Sequence, residues 1–201
     1  MPARRPTARE TEIKLRIADV NALRRALRRL GATSRGRVLE RNTLYDTPEG
    51  DLLRRGRLLR LRIETPAGLP GIRGGLRRAV ITAKAPVRSA PGSRYKEKLE
   101  REREAPLPRR WPGILRALGM QRAFRYEKYR TAYRLPGLHL DLDETPVGDF
   151  LEIEGLPRAI NRAARALGFS PRDYIRGTYW DLYAADCRRR GRFPGNMLLR
   201  A

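Results

Sequence analysis

The 201-residue chain carries one cysteine, Cys187, and one histidine, His139. One thiol cannot close an internal disulfide or build a thiolate zinc site, and one imidazole excludes multi-histidine metal centres and most acyl-transfer triads. A lone thiol fits a reducing compartment. No uncharged stretch approaches the ~18 apolar residues of a membrane span, and the opening MPARRPTARE lacks the apolar segment of a secretion signal. The reading is a cytoplasmic protein with no membrane partner. Lysine is scarce as well: of 45 basic residues only Lys14, Lys84, Lys96, Lys98 and Lys128 are lysines, and the other 40 are arginines.

Against 22 acids the 45 bases leave a formal charge of +23, so polyanions will adhere whatever their identity. Much of that excess is compatible with arginine used as a general surface charge, so the bulk number carries little functional weight. With 40% hydrophobic residues the chain can build a real core. No repeat or linker interrupts it, and the expectation is one domain over 1–201, with a core of about 9–183 and a tail at 187–201.

Arg9 to Ile17 alternates charged or polar with mostly apolar residues, the period of a strand with two unlike faces. Asp19 then caps a helix with Leu23, Ala26, Leu27 and Leu30 on one stripe, ended by Gly31. Strand patterns follow at 36–46, 57–63, 79–85, 94–104, 121–135, 138–145 and 149–154, about eight in all. Helices are expected at 108–118, 157–167 and 171 to about 186. The stretch from Pro66 to Arg78 reads as a long loop or hairpin tip.

The same two-residue pattern recurs from strand to strand. Glu10, Glu12 and Lys14 share a face; so do Arg60 and Arg62, Thr82 and Lys84, Glu100 and Glu102, Lys128 and Arg130, Asp141 and Asp143, and Glu152 and Glu154. The residues between them are largely apolar. For one strand this describes an ordinary sheet with a wet face. Over seven strands it describes something else: an α+β fold in which an eight-stranded antiparallel sheet closes into a β-barrel, helices cover the apolar outside, and the charges point inward. Buried charges need partners. Bases suit the oxygens of a polyphosphate, and carboxylates suit Mg2+ or Mn2+, which bridge readily to phosphate.

These residues resemble the CYTH superfamily, the triphosphate tunnel metalloenzymes. The resemblance rests on Glu10-x-Glu12-x-Lys14, Tyr45-Asp46-Thr47-Pro48, Arg60-x-Arg62, Thr82-x-Lys84, Glu100-x-Glu102, Lys128-x-Arg130, Asp143, Glu152-x-Glu154 and Thr178-Tyr179-Trp180-Asp181-Leu182, in family order over roughly 9–183. It implies a tunnel that binds tripolyphosphate, thiamine triphosphate or ATP with Mg2+ or Mn2+. By position, Lys14, Arg60, Arg62, Lys84, Lys128 and Arg130 would grip phosphate. Glu10, Glu12, Asp143, Glu152 and Glu154 would hold metal, and Glu100 and Glu102 would be ligands or supporting lining. Glu10, Glu12, Lys14 and Glu154 would stand at the reaction itself. A homodimer follows by family analogy alone.

The leading expectation is a divalent-metal-dependent triphosphatase, because the lining shows nothing dedicated to a base. The alternative is a class IV adenylyl cyclase making cyclic AMP and pyrophosphate from ATP. A nucleic-acid-binding module would explain Arg24, Arg25, Arg28, Arg29 and Arg188 to Arg190 but not the paired acids, so no specific nucleic acid is expected. His139, beside Leu138 and Leu140, reads as packing outward. Cys187 reads as inert, and Tyr45 and Tyr179 as packing residues.

Overall fold

A computed structural model describes residues 8–67, 78–87, 93–105 and 109–199, with side chains from Thr11 onward. Eight antiparallel strands close on themselves: β1 (Ala8–Ile17), β2 (Thr33–Asp46), β3 (Leu58–Pro66), β4 (Arg78–Pro86), β5 (Lys96–Glu104), β6 (Gln121–Leu135), β7 (Leu138–Thr145) and β8 (Gly148–Gly155). Their order around the barrel is β1-β5-β4-β3-β2-β6-β7-β8. The loop expected between Pro66 and Arg78 lies largely outside the described residues.

Closure falls to β1. Residues 8–12 pair with β5 and residues 12–17 with β8. Where β5 stops, Ile175 N donates to Lys14 O at 2.8 Å, so the C-terminal segment finishes the seam.

Alternation assigns the two faces. Outward residues Ile13, Leu15, Leu140, Leu142, Leu151 and Ile153 are buried under Leu23 and Leu27 of α1 (Val20–Arg29) and Ile160, Ala163 and Ala164 of α4 (Pro157–Ala166). Leu61, Ala79 and Ala105 pack under α3 (Trp111–Ala117). There only Leu115 is buried; Ile114 and Leu118, expected on the same stripe, are exposed. Trp111, at the start of the same helix, adds a partly buried contact to that cluster. A short α2 (Asp51–Arg54) was not expected: Asp46 nucleates it, its carboxylate accepting from Thr47 N, Leu52 N and Leu53 N at 2.8, 2.8 and 3.0 Å. The Tyr45-Asp46-Thr47-Pro48 motif therefore serves the turn, with Tyr45 buried in the core.

The single helix expected over 171–186 is instead a 3-10 turn at Pro171–Asp173, an extended 174–178 and α5 (Tyr179–Arg189). The extended piece is the one that pairs with Lys14. Thr178 restarts the helix with a capping box, its hydroxyl accepting from Asp181 N and the Asp181 carboxylate from Thr178 N at 2.7 Å. Thr178→Ala should cost about 1 kcal/mol, read as a lowered denaturant midpoint with unchanged slope. The C-terminal tail is stitched to β6: Met197 N donates to Arg125 O and Glu127 N to Met197 O, both at 2.9 Å. Met197 is buried among Phe124, Tyr126, Phe150 and Tyr179, an apolar plug formed partly by inward residues of β6 and β8. Among the described residues no helix is long and apolar enough to cross a membrane.

Candidate active site: a charged tunnel

The barrel encloses a cavity of about 710 Å3. All five lysines line it. Sequence parity pointed to Lys14, Lys84 and Lys128; Lys96 and Lys98 join them because they share the face of Glu100 and Glu102 along β5. Every lysine is kept for the interior, where Arg60, Arg62 and Arg130 join them, and the remaining arginines are mostly elsewhere.

The deepest group is ionic. Lys128, 2% exposed, lies 2.7 Å from Asp143, 0% exposed, and 3.4 Å from Glu40, 1% exposed. Arg130 spans three acids: Asp143 at 2.6 Å through two nitrogens, Glu152 at 2.5 Å and Asp141 at 2.6 Å. Arg62 meets Glu40 at 3.3 Å and Glu102 at 3.2 Å. Arg60 meets Glu102 at 3.2 Å, while the buried Thr82 hydroxyl donates to the same carboxylate at 2.9 Å. Lys14 lies 3.0 Å from Glu152, Lys96 lies 2.8 Å from Glu12, and Lys84 pairs with Glu100. Glu10 sits on β1 opposite Lys98 in register; its side chain lies outside the described ones.

The structure thus brings together every other sequence-expected residue. It adds Glu40, Lys96, Lys98, Tyr179 and His139, and gives Asp141, expected only on the inward face, a direct partner in Arg130. Tyr179 does more than pack: its hydroxyl donates to Asp143 at 2.6 Å, and its ring has the Lys14 and Lys128 ammoniums 4.3 and 4.9 Å from its centre. Burial, then Asp143, holds that hydroxyl well above the usual tyrosine range. His139 overturns the outward reading. On β7 it shares the parity of Asp141 and Asp143, so it lines the cavity while Leu138 and Leu140 face the core. Leu53, Phe124 and Trp180 also border the cavity, so the lining holds apolar surface that the sequence did not reveal.

Burial alone would raise the Glu40 and Glu152 carboxyls. Lys128, Arg130 and Arg62 instead hold Glu40 below its ordinary 4.5, and Lys14, Arg130 and Lys128 hold Glu152 well below it. An acid whose folded pKa is depressed contributes stability above its unfolded pKa and loses it as pH falls towards the folded one. The denaturant midpoint should therefore stay flat from about pH 7 to 5 and drop steeply below about 4.5. Two acids work the other way and soften the fall: Asp143, raised chiefly by its burial against the pull of Arg130 and Lys128, and half-exposed Glu154, raised by burial and by Glu12 and Glu100 against the pull of His139 and Lys84. A midpoint that declines steadily from pH 7 would contradict the ion-pair account.

Among the described residues no group of three or more His, Cys, Asp or Glu side chains is placed to hold a metal ion. Glu12 and Glu154 face each other across β1 and β8, and Glu154 has no Lys or Arg ion-pair partner among the described residues. Two carboxylates suffice for an ion such as Mg2+ that takes its remaining ligands from water and phosphate.

The CYTH domain family model matches residues 8–179. A candidate adenylate cyclase from Vibrio parahaemolyticus superposes with TM-score 0.71 at 19% identity, over 86% of this chain and 96% of that one. A protein from Pyrococcus horikoshii gives 0.70 at 25% identity, over 86% and 98%. A candidate adenylyl cyclase from Hippeastrum with a dominant triphosphatase activity gives 0.59 at 19% identity, over 92% and 97%. No curated protein sequence matches the chain.

Proposed function

Because the chain belongs to the CYTH domain family, we propose that it is a divalent-metal-dependent triphosphatase that holds the triphosphate of tripolyphosphate or of a nucleoside or thiamine triphosphate in its tunnel and hydrolyses a phosphoanhydride bond. The observation that carries this reading is the pairing inside the barrel. Nearly every tunnel base already faces a tunnel acid. A triphosphate can take the bases only by displacing those acids, and a divalent cation arriving with it takes the acids released. The exchange conserves charge in a site where an unpaired ion costs several kcal/mol.

Lys14, Arg60, Arg62, Lys84, Lys128 and Arg130 would hold the phosphate oxygens, with forked arginines orienting the chain and lysines acting as point charges. Glu12 and Glu154 would hold Mg2+ or Mn2+, with Glu10 beside them on β1 and Glu152, Asp143, Glu100 and Glu102 as further ligands or supports. When bound, the ion would neutralise phosphate charge and make a water easier to ionise. Glu154, whose carboxyl is raised by burial, is suited to accept the proton of the attacking water. Fixed bases around the transferring group would stabilise its equatorial charge.

Leu53, Phe124 and Trp180 support a second reading, in which an organic substituent rests on that surface and the ribose 3′-hydroxyl of ATP attacks, giving cyclic AMP and pyrophosphate. Phosphate release from tripolyphosphate and ATP, with Mg2+, Mn2+ or chelator, separates the two when cyclic AMP is followed in the same ATP reactions. Chelator-sensitive phosphate release without cyclic AMP is the expected result. Cyclic AMP with pyrophosphate would replace it with the cyclase, and turnover unaffected by chelator would defeat both.

A further inference from the structure

At one level of the barrel three adjacent strands present a row of potential ligands, which as they stand do not close round one point and which an arriving ion would draw together. His139 on β7 pairs in register with Glu154 on β8, and Glu154 with Glu12 on β1. All three line the cavity. Nδ1 of His139 is 3.8 Å from Glu154 Oε2, too far for a hydrogen bond. Two ligands about 2.1 Å from one ion stand about 3.0 to 4.2 Å apart, depending on the angle between them, so this spacing suits a shared cation. On the other side of the ring, Nε2 lies 3.0 Å from Asp141 Oδ1. That oxygen is buried and has no hydrogen-bond partner, while its sister oxygen is held by Arg130 at 2.6 Å. A small rotation of the half-buried imidazole directs Nε2–H onto Oδ1 and leaves the Nδ1 lone pair facing Glu154. A carboxylate accepting from the far nitrogen is the usual companion of a metal-bound histidine.

We propose that His139 is a nitrogen ligand of the divalent-cation site, acting with Glu154 and Glu12 and oriented by Asp141, and that it biases the site towards Mn2+, Co2+ or Zn2+ over Mg2+. Hard carboxylate and phosphate oxygens serve all of these ions, whereas imidazole adds affinity for the transition ions and little for Mg2+. The site draws its remaining ligands from water and from the triphosphate. This rests on the tunnel holding a metal–triphosphate complex but does not depend on which reaction follows.

The single histidine makes the test direct. In untagged protein labelled with 15N-histidine, one imidazole contributes both ring-nitrogen resonances. Titration with Zn2+ and with Mg2+, each in the presence of diimidotriphosphate as a non-hydrolysable triphosphate, should move one ring nitrogen with Zn2+ and leave both in place with Mg2+. Mn2+ binding followed by electron paramagnetic resonance should weaken at least about tenfold in His139→Ala, while Mg2+ affinity from competition stays within about twofold; Asp141→Asn, which also loosens Arg130, should weaken Mn2+ more than Mg2+. Ring nitrogens unmoved by Zn2+, or equal losses for Mn2+ and Mg2+, would overturn the assignment. These are binding measurements: a Zn2+-shifted histidine in a protein that hydrolyses no triphosphate would sink the proposed activity and leave the ligand assignment standing.

Discussion

Arg130→Met should lower the unfolding free energy by about 3–5 kcal/mol, the usual cost of removing one partner from a buried ionic cluster. This guanidinium touches Asp141, Asp143 and Glu152 at 2.5 to 2.6 Å, and Glu40 stands 3.7 Å away. Methionine fills much of the same volume, so the loss reports stranded carboxylates rather than a cavity. Arg130→Lys should recover only part of it, because a single ammonium cannot fork to three acids. Chemical denaturation at pH 7 measures both variants, and a loss under about 1 kcal/mol for the methionine variant would mean that water reaches the cluster.

Glu12→Gln should reduce metal-dependent phosphate release by at least about 10²–10³-fold, the scale seen when a group that places charge in an active site is removed. The substitution keeps shape and removes charge. Burial and then Glu152 push the Glu12 carboxyl up, but Lys96, Lys84 and Lys14 prevail and keep it ionised, so the native side chain can serve a cation at neutral pH. Loss of that charge also frees Lys96, whose ion pair with Glu12 is 2.8 Å long, so triphosphate affinity should hold or rise while turnover falls. Turnover within about fivefold of the native enzyme would remove Glu12 from the metal site.

Parity along strands made most of this site readable in advance. The boundaries of β6 and β7 match the sequence pattern residue for residue, although β6 carries a bulge at Ala123. The same rule applied to Leu138-His139-Leu140-Asp141 puts His139 with the aspartates; its two leucine neighbours obscured a parity that was there to be read. Lys96 and Lys98 were available by the same count from Glu100. Glu40 was less accessible, since β2 shifts register with β6 between Ser34 and Arg37 and again between Leu44 and Tyr45, and no neighbouring pair marks its face. The role of Tyr179 could not be reached from pattern at all. It depends on an extended 174–178 that ends one helix turn and begins another, and that segment is selected by the exposed edge of β1, a contact 161 residues away in sequence between Lys14 and Ile175.

The seam at β1 has a consequence for how the protein is born. Strand β1 leaves the ribosome first, yet its partners are β5, β8 and Ile175. At ordinary synthesis rates β8 follows it by roughly ten to thirty seconds, during which an alternating, highly charged strand waits with both edges open. Its Glu10, Glu12 and Lys14 side chains keep one face strongly hydrated through that interval and discourage pairing with other nascent chains. The residues expected to serve the finished tunnel would thus also act as guards during synthesis, and nascent-chain protease protection of β1 should appear only after β8 has cleared the exit tunnel.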